Sequence, residues 1–169
     1  MKRNVEIKAR VSDLESASDR VRSISDTGPE IINQEDTFFE SLKGRLKLRR
    51  FSDSRGELIY YERPDSEDPA ECQYLIASTS APETLVEIMS RSNAVLGIVR
   101  KKRTLYTIGQ TRVHLDEVDG LGQFIELEVV LRPDQSAADG IGIAVDLIKR
   151  LEITQSDLVD RAYIDLLNA

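Results

Sequence analysis

Over Asn4–Arg10 apolar and polar residues alternate, with Val5, Ile7 and Ala9 on one side and Asn4, Glu6, Lys8 and Arg10 on the other. That two-residue period is the period of a strand. It returns over 30–39, 45–50, 57–63, 72–77, 98–107, 111–117 and 123–131. The polar run Ser52-Asp53-Ser54-Arg55-Gly56, Gly109 and Asp119-Gly120 supply turns between successive strands. Elsewhere the spacing lengthens to that of a helix. Val11, Leu14, Ala17, Val21 and Ile24 follow a capping box at Ser12 and Glu15, and Gly28-Pro29 stops them. A second helix is predicted from Ser80 as cap, with Pro82 in its first turn, Glu83 three residues on, and an apolar face of Leu85, Ile88, Met89 and Leu96. Two helices close the chain, 136–150 and 156–167, capped by Ser136 and Ser156. The sum is an α+β fold with about eight mainly antiparallel strands, a number that can close into a barrel.

The charges fall on these strands in an ordered way. Arg45, Lys47 and Arg49 share one face opposite Leu46 and Leu48, and Arg63 ends the next strand. Lys101 and Arg103 share a face, as do Arg112, His114 and Asp116, and as do Glu6 and Lys8. Glu126 and Glu128 share theirs, opposite Ile125, Leu127 and Val129. An antiparallel sheet ordinarily turns such a face to water. Here the helices carry apolar stripes at 14/17/21/24, 85/88/89/96 and 141/145/148/151 that need a surface to cover. If they cover the sheet from outside, the charged faces line the inside. Basic faces and carboxylate pairs also come from separate strands, as a site for a polyanion and its metal requires. The side chains of Arg45, Lys47, Arg49, Lys101, Arg103, Glu126 and Glu128 are therefore expected to converge on one cavity. Interior cations are expected to repel one another, so that losing Arg49 or Arg103 leaves stability unchanged or raises it.

Composition narrows the function classes. A hydrophobic share of 40% is too high for a disordered tail, and 169 residues suit a single domain over 1–169. With 23 Lys and Arg against 30 Asp and Glu the net charge is −7, which argues against a general binder of nucleic acid or anionic membrane. The single cysteine, Cys72, excludes an internal disulfide and a cysteine-rich zinc site, and reads as a packing residue. His114, the single histidine, reads equally as a structural group or a proton carrier. No apolar run approaches the roughly 20 residues of a membrane helix, and Met1–Arg10 has no signal-peptide core. The expectation is a soluble, cytoplasmic protein. The acidic run Asp65–Asp68 is a solvated loop or a lid over one end of the cavity.

Seven segments in chain order resemble the CYTH superfamily, named for class IV adenylate cyclases and thiamine triphosphatases. Asn4-Val5-Glu6-Ile7-Lys8 resembles its opening ExExK signature. Gln34-Glu35-Asp36-Thr37-Phe38-Phe39, Gly44–Arg49 and Leu58–Asp65 resemble its next strands, and Val99–Arg103 its VxKxR strand. His114–Val118 with Gly120-Leu121-Gly122, and Phe124–Glu128, are similar to the LDxV…GLGxFxExE stretch of the cyclase-like branch. The resemblance implies an eight-stranded antiparallel triphosphate tunnel, charged inside and flanked by helices. It implies action on ATP, another nucleoside triphosphate, thiamine triphosphate or tripolyphosphate with Mg²⁺ or Mn²⁺, and a possible homodimer. Cyclisation of ATP to cyclic AMP and pyrophosphate is the leading expectation. Hydrolysis of a terminal phosphate comes second and a non-catalytic polyphosphate- or nucleotide-binding module third. By position, Lys8, Arg45, Lys47, Arg49, Arg63, Lys101, Arg103 and Arg112 become phosphate-binding candidates; Glu6, Asp116, Glu126 and Glu128 become metal candidates. No general base is assigned. Two positions depart from the pattern. Asn4 replaces the first motif glutamate with an uncharged amide. Phe38 lacks the hydroxyl that some hydrolysing members carry in this strand, for which Tyr60 or Tyr61 could substitute.

Overall fold

The computed structural model describes all 169 residues. Eight strands, β1 (Lys2–Arg10), β2 (Thr27–Phe39), β3 (Arg45–Ser52), β4 (Arg55–Glu62), β5 (Ala70–Thr79), β6 (Val95–Ile108), β7 (Thr111–Val118) and β8 (Gly122–Val130), form a closed barrel. The helices are α1 (Leu14–Ile24), α2 (Pro82–Ser92), α3 (Ala137–Arg150) and α4 (Tyr163–Leu167), with a 3₁₀ turn at Gln155–Asp157. Around the ring the order is β1-β5-β4-β3-β2-β6-β7-β8, and every neighbouring pair is antiparallel. Closure leaves no free sheet edge along most of the barrel. It also places β3 four positions from β8, directly across the lumen.

The apolar core lies between the barrel wall and the helices. Ile7 and Ala9 of β1, Val113 and Leu115 of β7, and Ile125 and Leu127 of β8 pack outward against Ala17 and Val21 of α1 and Leu147 of α3. Val5, Val129, Leu131 and Ala144 continue that layer. Because the wall's apolar side is spent on the helices, its polar side faces inward. The face by which α3 docks differs from the predicted 141/145/148/151 stripe: Gly140, Ala144 and Leu147 are buried, with Leu151 just beyond, whereas Ile141 and Val145 are exposed. Small residues decide this face, because they let the helix axis approach β1. A Cβ at Gly140 would lie 2.6 Å from Leu131 Cδ2 and 2.7 Å from Val5 Cγ2. On α2 the coverage is thin: Pro82 is buried, Leu85 and Met89 are half-buried and Ile88 is exposed, while Leu96, expected on this helical face, lies beyond the helix in β6 and is exposed there.

Two caps shift by one residue. Asp13, not Ser12, caps α1, its carboxylate accepting from the Ser16 amide at 3.0 Å. Ala81, not Ser80, precedes α2 and makes no side-chain cap. The Ser136 cap of α3 is as expected, completed by Asp139. The predicted 156–167 helix is instead the 3₁₀ turn, an extended stretch and the short α4. Its cause is tertiary. β5 pairs with β1 only over Lys2–Glu6, so the backbone of Lys8 and Ala9 stays open on that side. Leu158 bridges to Ala9, and the Val159 N–H donates to the Lys8 carbonyl at 2.9 Å. α4 then crosses one end of the barrel, with Ala162, Tyr163 and Ile164 packed on Phe38, Val99, Val118 and Phe124. Gly97 permits that crossing: its φ of 150° suits glycine, and a Cβ there would meet Ile164 Cδ1 at 2.7 Å. No helix is long and apolar enough to cross a membrane.

Candidate active site: a charged tunnel

The inward positions of all eight strands meet in one cavity of about 320 Å³. β1 contributes Asn4, Glu6 and Lys8; β2 Gln34, Asp36 and Phe38; β3 Arg45, Lys47 and Arg49; β6 Lys101 and Arg103; β7 Arg112 and His114; β8 Glu126 and Glu128. Glu57 and Tyr61 of β4, Cys72 and Tyr74 of β5, and Arg63 just past the end of β4 complete the wall, with Arg55 at the start of β4. Nine lysines and arginines therefore face five carboxylates. All seven residues expected to converge do so.

The cations are held in fixed poses by two buried aspartates. Arg49 donates to Asp36 through Nε and Nη2, both at 2.8 Å, and Lys47 donates to it at 3.0 Å, while Lys101 Nζ lies 3.7 Å away. Burial pushes the Asp36 carboxyl up, but Arg49, Lys47 and Lys101 outweigh it and hold it well below the usual range. Asp116 does the same for Arg103, accepting from Nε at 2.7 Å and Nη2 at 2.6 Å, and it also accepts from the Tyr163 hydroxyl at 3.0 Å. Both its oxygens are engaged and it is fully buried, so Asp116 stands apart from the carboxylates with which it was grouped. This pairing also corrects the expectation for Arg49 and Arg103. Losing either removes the bidentate partner of a buried aspartate and leaves Asp36 with Lys47, or Asp116 with the Tyr163 hydroxyl, so stability is expected to fall by roughly 1.5–3 kcal/mol rather than rise. Lys101 remains strained: burial, then the Arg103 charge, bring its pKa down to about 7.

The remaining phosphate candidates are also placed. Lys8 Nζ sits 4.1 Å above the Tyr163 ring. Arg63 Nε lies 3.7 Å from Glu6, and Arg112 pairs with Glu128 at 2.7 Å. Arg45 lies toward the α4 end, bound to Asp65 at 3.0 Å and Asp165 at 2.6 Å, so the acidic loop does touch the tunnel. Sequence reasoning passed over Asp36 and Tyr163. Asp36 is visible in the alternation Gln34, Asp36, Phe38, but neither neighbour on that face carries a second charge to mark it. Tyr163 gave no local signal, because the crossing of α4 is tertiary.

Opposite β3 runs an acidic wall. Register places Glu128 beside Glu6 and Arg112, and Glu126 beside Lys8 and His114. Burial, then Glu128 and Glu126, raise the Glu6 pKa to about 7. His114 is pushed down to about 4 by burial and then the Arg103 charge, which leaves it neutral at physiological pH. Ligand atoms of His114, Glu126 and Glu128 all lie within 4.8 Å of one another. Asn4 Oδ1 and His114 Nδ1 are buried without a protein partner. Crowded carboxylates beside unpartnered polar atoms are what a divalent cation relieves, so these residues fit a metal ion. Phe38 packs with its ring centroid 5.2 Å from Lys47 Nζ. Tyr60 lies outside the lining and donates to Glu62 at 2.7 Å, so of the two tyrosines only Tyr61 faces the lumen. Burial, then Glu6, push the Cys72 thiol up, so the sulfur on the wall stays protonated.

Comparison with known proteins agrees with this geometry. The CYTH domain family model matches residues 2–163. Adenylate cyclase CyaB of Aeromonas hydrophila is 25% identical, over 94% of this chain and 85% of its own length. Among solved structures, PH1012 of Pyrococcus horikoshii OT3 superposes with a TM-score of 0.86 at 26% identity, covering 96% of this chain and 98% of that one. HpAC1 of Hippeastrum, a protein with a dominant triphosphatase activity, has a TM-score of 0.69 at 15% identity and shares the fold, covering 98% of this chain and 95% of that one. With the match spanning all eight strands of the closed, charge-lined barrel, the chain belongs to the CYTH domain family.

Proposed function

We propose that this chain is a metal-dependent enzyme of the class IV adenylate cyclase type, converting ATP to cyclic AMP and pyrophosphate. The observation that carries the reading is the division of the lumen. Arg45, Lys47 and Arg49 on β3 face Glu126 and Glu128 on β8 across one cavity. A triphosphate bears about four negative charges and needs both cationic hydrogen-bond donors and a divalent ion.

Lys8, Lys47, Arg49, Lys101 and Arg103 bind the polyphosphate chain, with Arg45, Arg63 and Arg112 completing the set. Asp36 and Asp116 hold Arg49 and Arg103 rigid, so the donors are aimed before the anion arrives and do not reorganise during reaction. Glu6, Glu126 and Glu128 would hold Mg²⁺ or Mn²⁺, which supplies Lewis-acid polarisation of a phosphoryl oxygen when bound. The tunnel wall orients the chain so that the 3′-hydroxyl oxygen attacks the α-phosphorus in line. The new O3′–Pα bond forms as the bond from Pα to the bridging oxygen breaks, the hydroxyl proton passes to water, and pyrophosphate leaves. The cationic wall neutralises charge developing on the leaving group.

Tyr61 supports a second reading. Its ring centroid lies 5.4 Å from Lys47 Nζ, which restores a phenol to the tunnel beside that lysine despite Phe38. Water would then attack the terminal phosphorus, the bond to its bridging oxygen would break, the remaining diphosphate would depart as leaving group, and inorganic phosphate would be released. Turnover of ATP and of tripolyphosphate, each with Mg²⁺ and with Mn²⁺, is followed by chromatography of the products. Cyclic AMP and pyrophosphate are expected. Inorganic phosphate would establish the second reading, and tight binding with no product would make the chain a binding module.

A further inference from the structure

One donor on the acidic wall is a nitrogen. His114 sits on β7 opposite Glu126 in register, and its Nδ1 lies 3.7 Å from Glu128 Oε1. Those atoms are too far apart to hydrogen-bond. Their spacing falls between the roughly 3.0 and 4.2 Å that separate cis and trans ligands held about 2.1 Å from one ion. The carboxylates are already oriented for such an ion. Arg112 occupies Glu128 Oε2 at 2.7 Å and Arg103 occupies Glu126 Oε2 at 3.0 Å, so each glutamate is fixed through one oxygen and presents the other. His114 is only 3% exposed, and its Nδ1 has no protein partner. A histidine buried for packing alone is ordinarily hydrogen-bonded.

We propose that His114 is a direct ligand of the tunnel's metal ion, and that this nitrogen gives the site a preference for a first-row transition ion such as Mn²⁺ over Mg²⁺. The proposal rests on the metal-dependent reading above. Mg²⁺ is held by oxygen and keeps its waters, whereas imidazole adds affinity along the first-row transition series, in which Mn²⁺ stands at the weak end and the later ions gain more. Asn4 works in the same direction: β1 offers the wall an amide where a second carboxylate would favour the harder ion.

The chain contains one histidine, which makes the test specific. Untagged, chelator-stripped protein is loaded with Mn²⁺ and studied by pulsed electron paramagnetic resonance, with natural-abundance and with ¹⁵N-histidine protein. A nitrogen coupling that switches from the ¹⁴N to the ¹⁵N frequency is expected. In parallel, Mn²⁺ and Mg²⁺ are titrated calorimetrically into wild type and His114→Gln. Mn²⁺ affinity should fall at least about tenfold, with Mg²⁺ affinity nearly unchanged. Bound Mn²⁺ without histidine coupling overturns the proposal and leaves the metal-dependent reading standing, and an equal loss for both ions does the same. Failure of the wild type to bind either ion overturns both. The labelling arm needs no variant, so a folding defect in His114→Gln cannot mask the result.

Discussion

Glu6 shows how one side chain can be a liability in the free protein and an asset in the loaded one. It lies beside Glu128 in register, pairs weakly with Arg63 at 3.7 Å, and accepts from Asn4 Nδ2 at 3.0 Å. Its pKa is raised from 4.5 to about 7. Between those values the folded state binds the extra proton, so stability falls as pH rises through the window, by about 3 kcal/mol in full. In chelator, Glu6→Gln should therefore melt several degrees above wild type at pH 8 and close to wild type at pH 4.5. The glutamine keeps an oxygen for Asn4 and removes only the charge. Melts that differ equally at both pH values would show that Glu6 is not the strained group.

At the scale of elements, the crossing of α4 is the part most dependent on a single contact. Ile164 sits against Gly97, where a Cβ would intrude to 2.7 Å and where φ is 150°. Gly97→Ala should cost roughly 1–3 kcal/mol of strain and displace α4. Hydrogen exchange should accelerate at 163–167 while β7 and β8 stay protected; unchanged exchange at α4 would mean that the contact does not hold the helix. The elements also divide by how legible they were in the sequence. The eight strands and their inward charges were readable because a two-residue period separates charged from apolar positions on most strands, and the α1 stripe at 14/17/21/24 needs an outer apolar wall to cover. The helix over 156–167 was not, because local pattern cannot show that β5 leaves the backbone of Lys8 and Ala9 open to Leu158 and Val159. The docking face of α3 was misread for a related reason: the predicted stripe favoured bulk at Ile141 and Val145, and the packing favoured the small Gly140 and Ala144. In the tunnel, strand faces with repeated charges and the family's motifs supplied the candidates, and Asp36, the single charge on its strand's inward face, was passed over although it organises three of them.

For the molecule as a whole, the division of charge between lumen and exterior sets how an anion arrives. The tunnel wall carries nine cations and five carboxylates, so it is positive by four, and the rest of the chain is negative by eleven within the total of −7. From afar an incoming triphosphate meets the net negative field; only within the lumen does the sign reverse. The Debye length is about 10 Å at 0.1 M salt, so salt screens the long-range outer repulsion before it weakens the close contacts inside. Stopped-flow association of a fluorescent ATP analogue should therefore speed up as salt is raised from about 0.01 to 0.1 M, while the dissociation rate rises only at higher salt. A rate that falls steadily from the lowest salt would mean that the basic lumen steers the ligand from a distance. Built as drawn, the barrel works as an electrostatic filter: it discourages anions in general and retains the few that are slender enough to enter end-on.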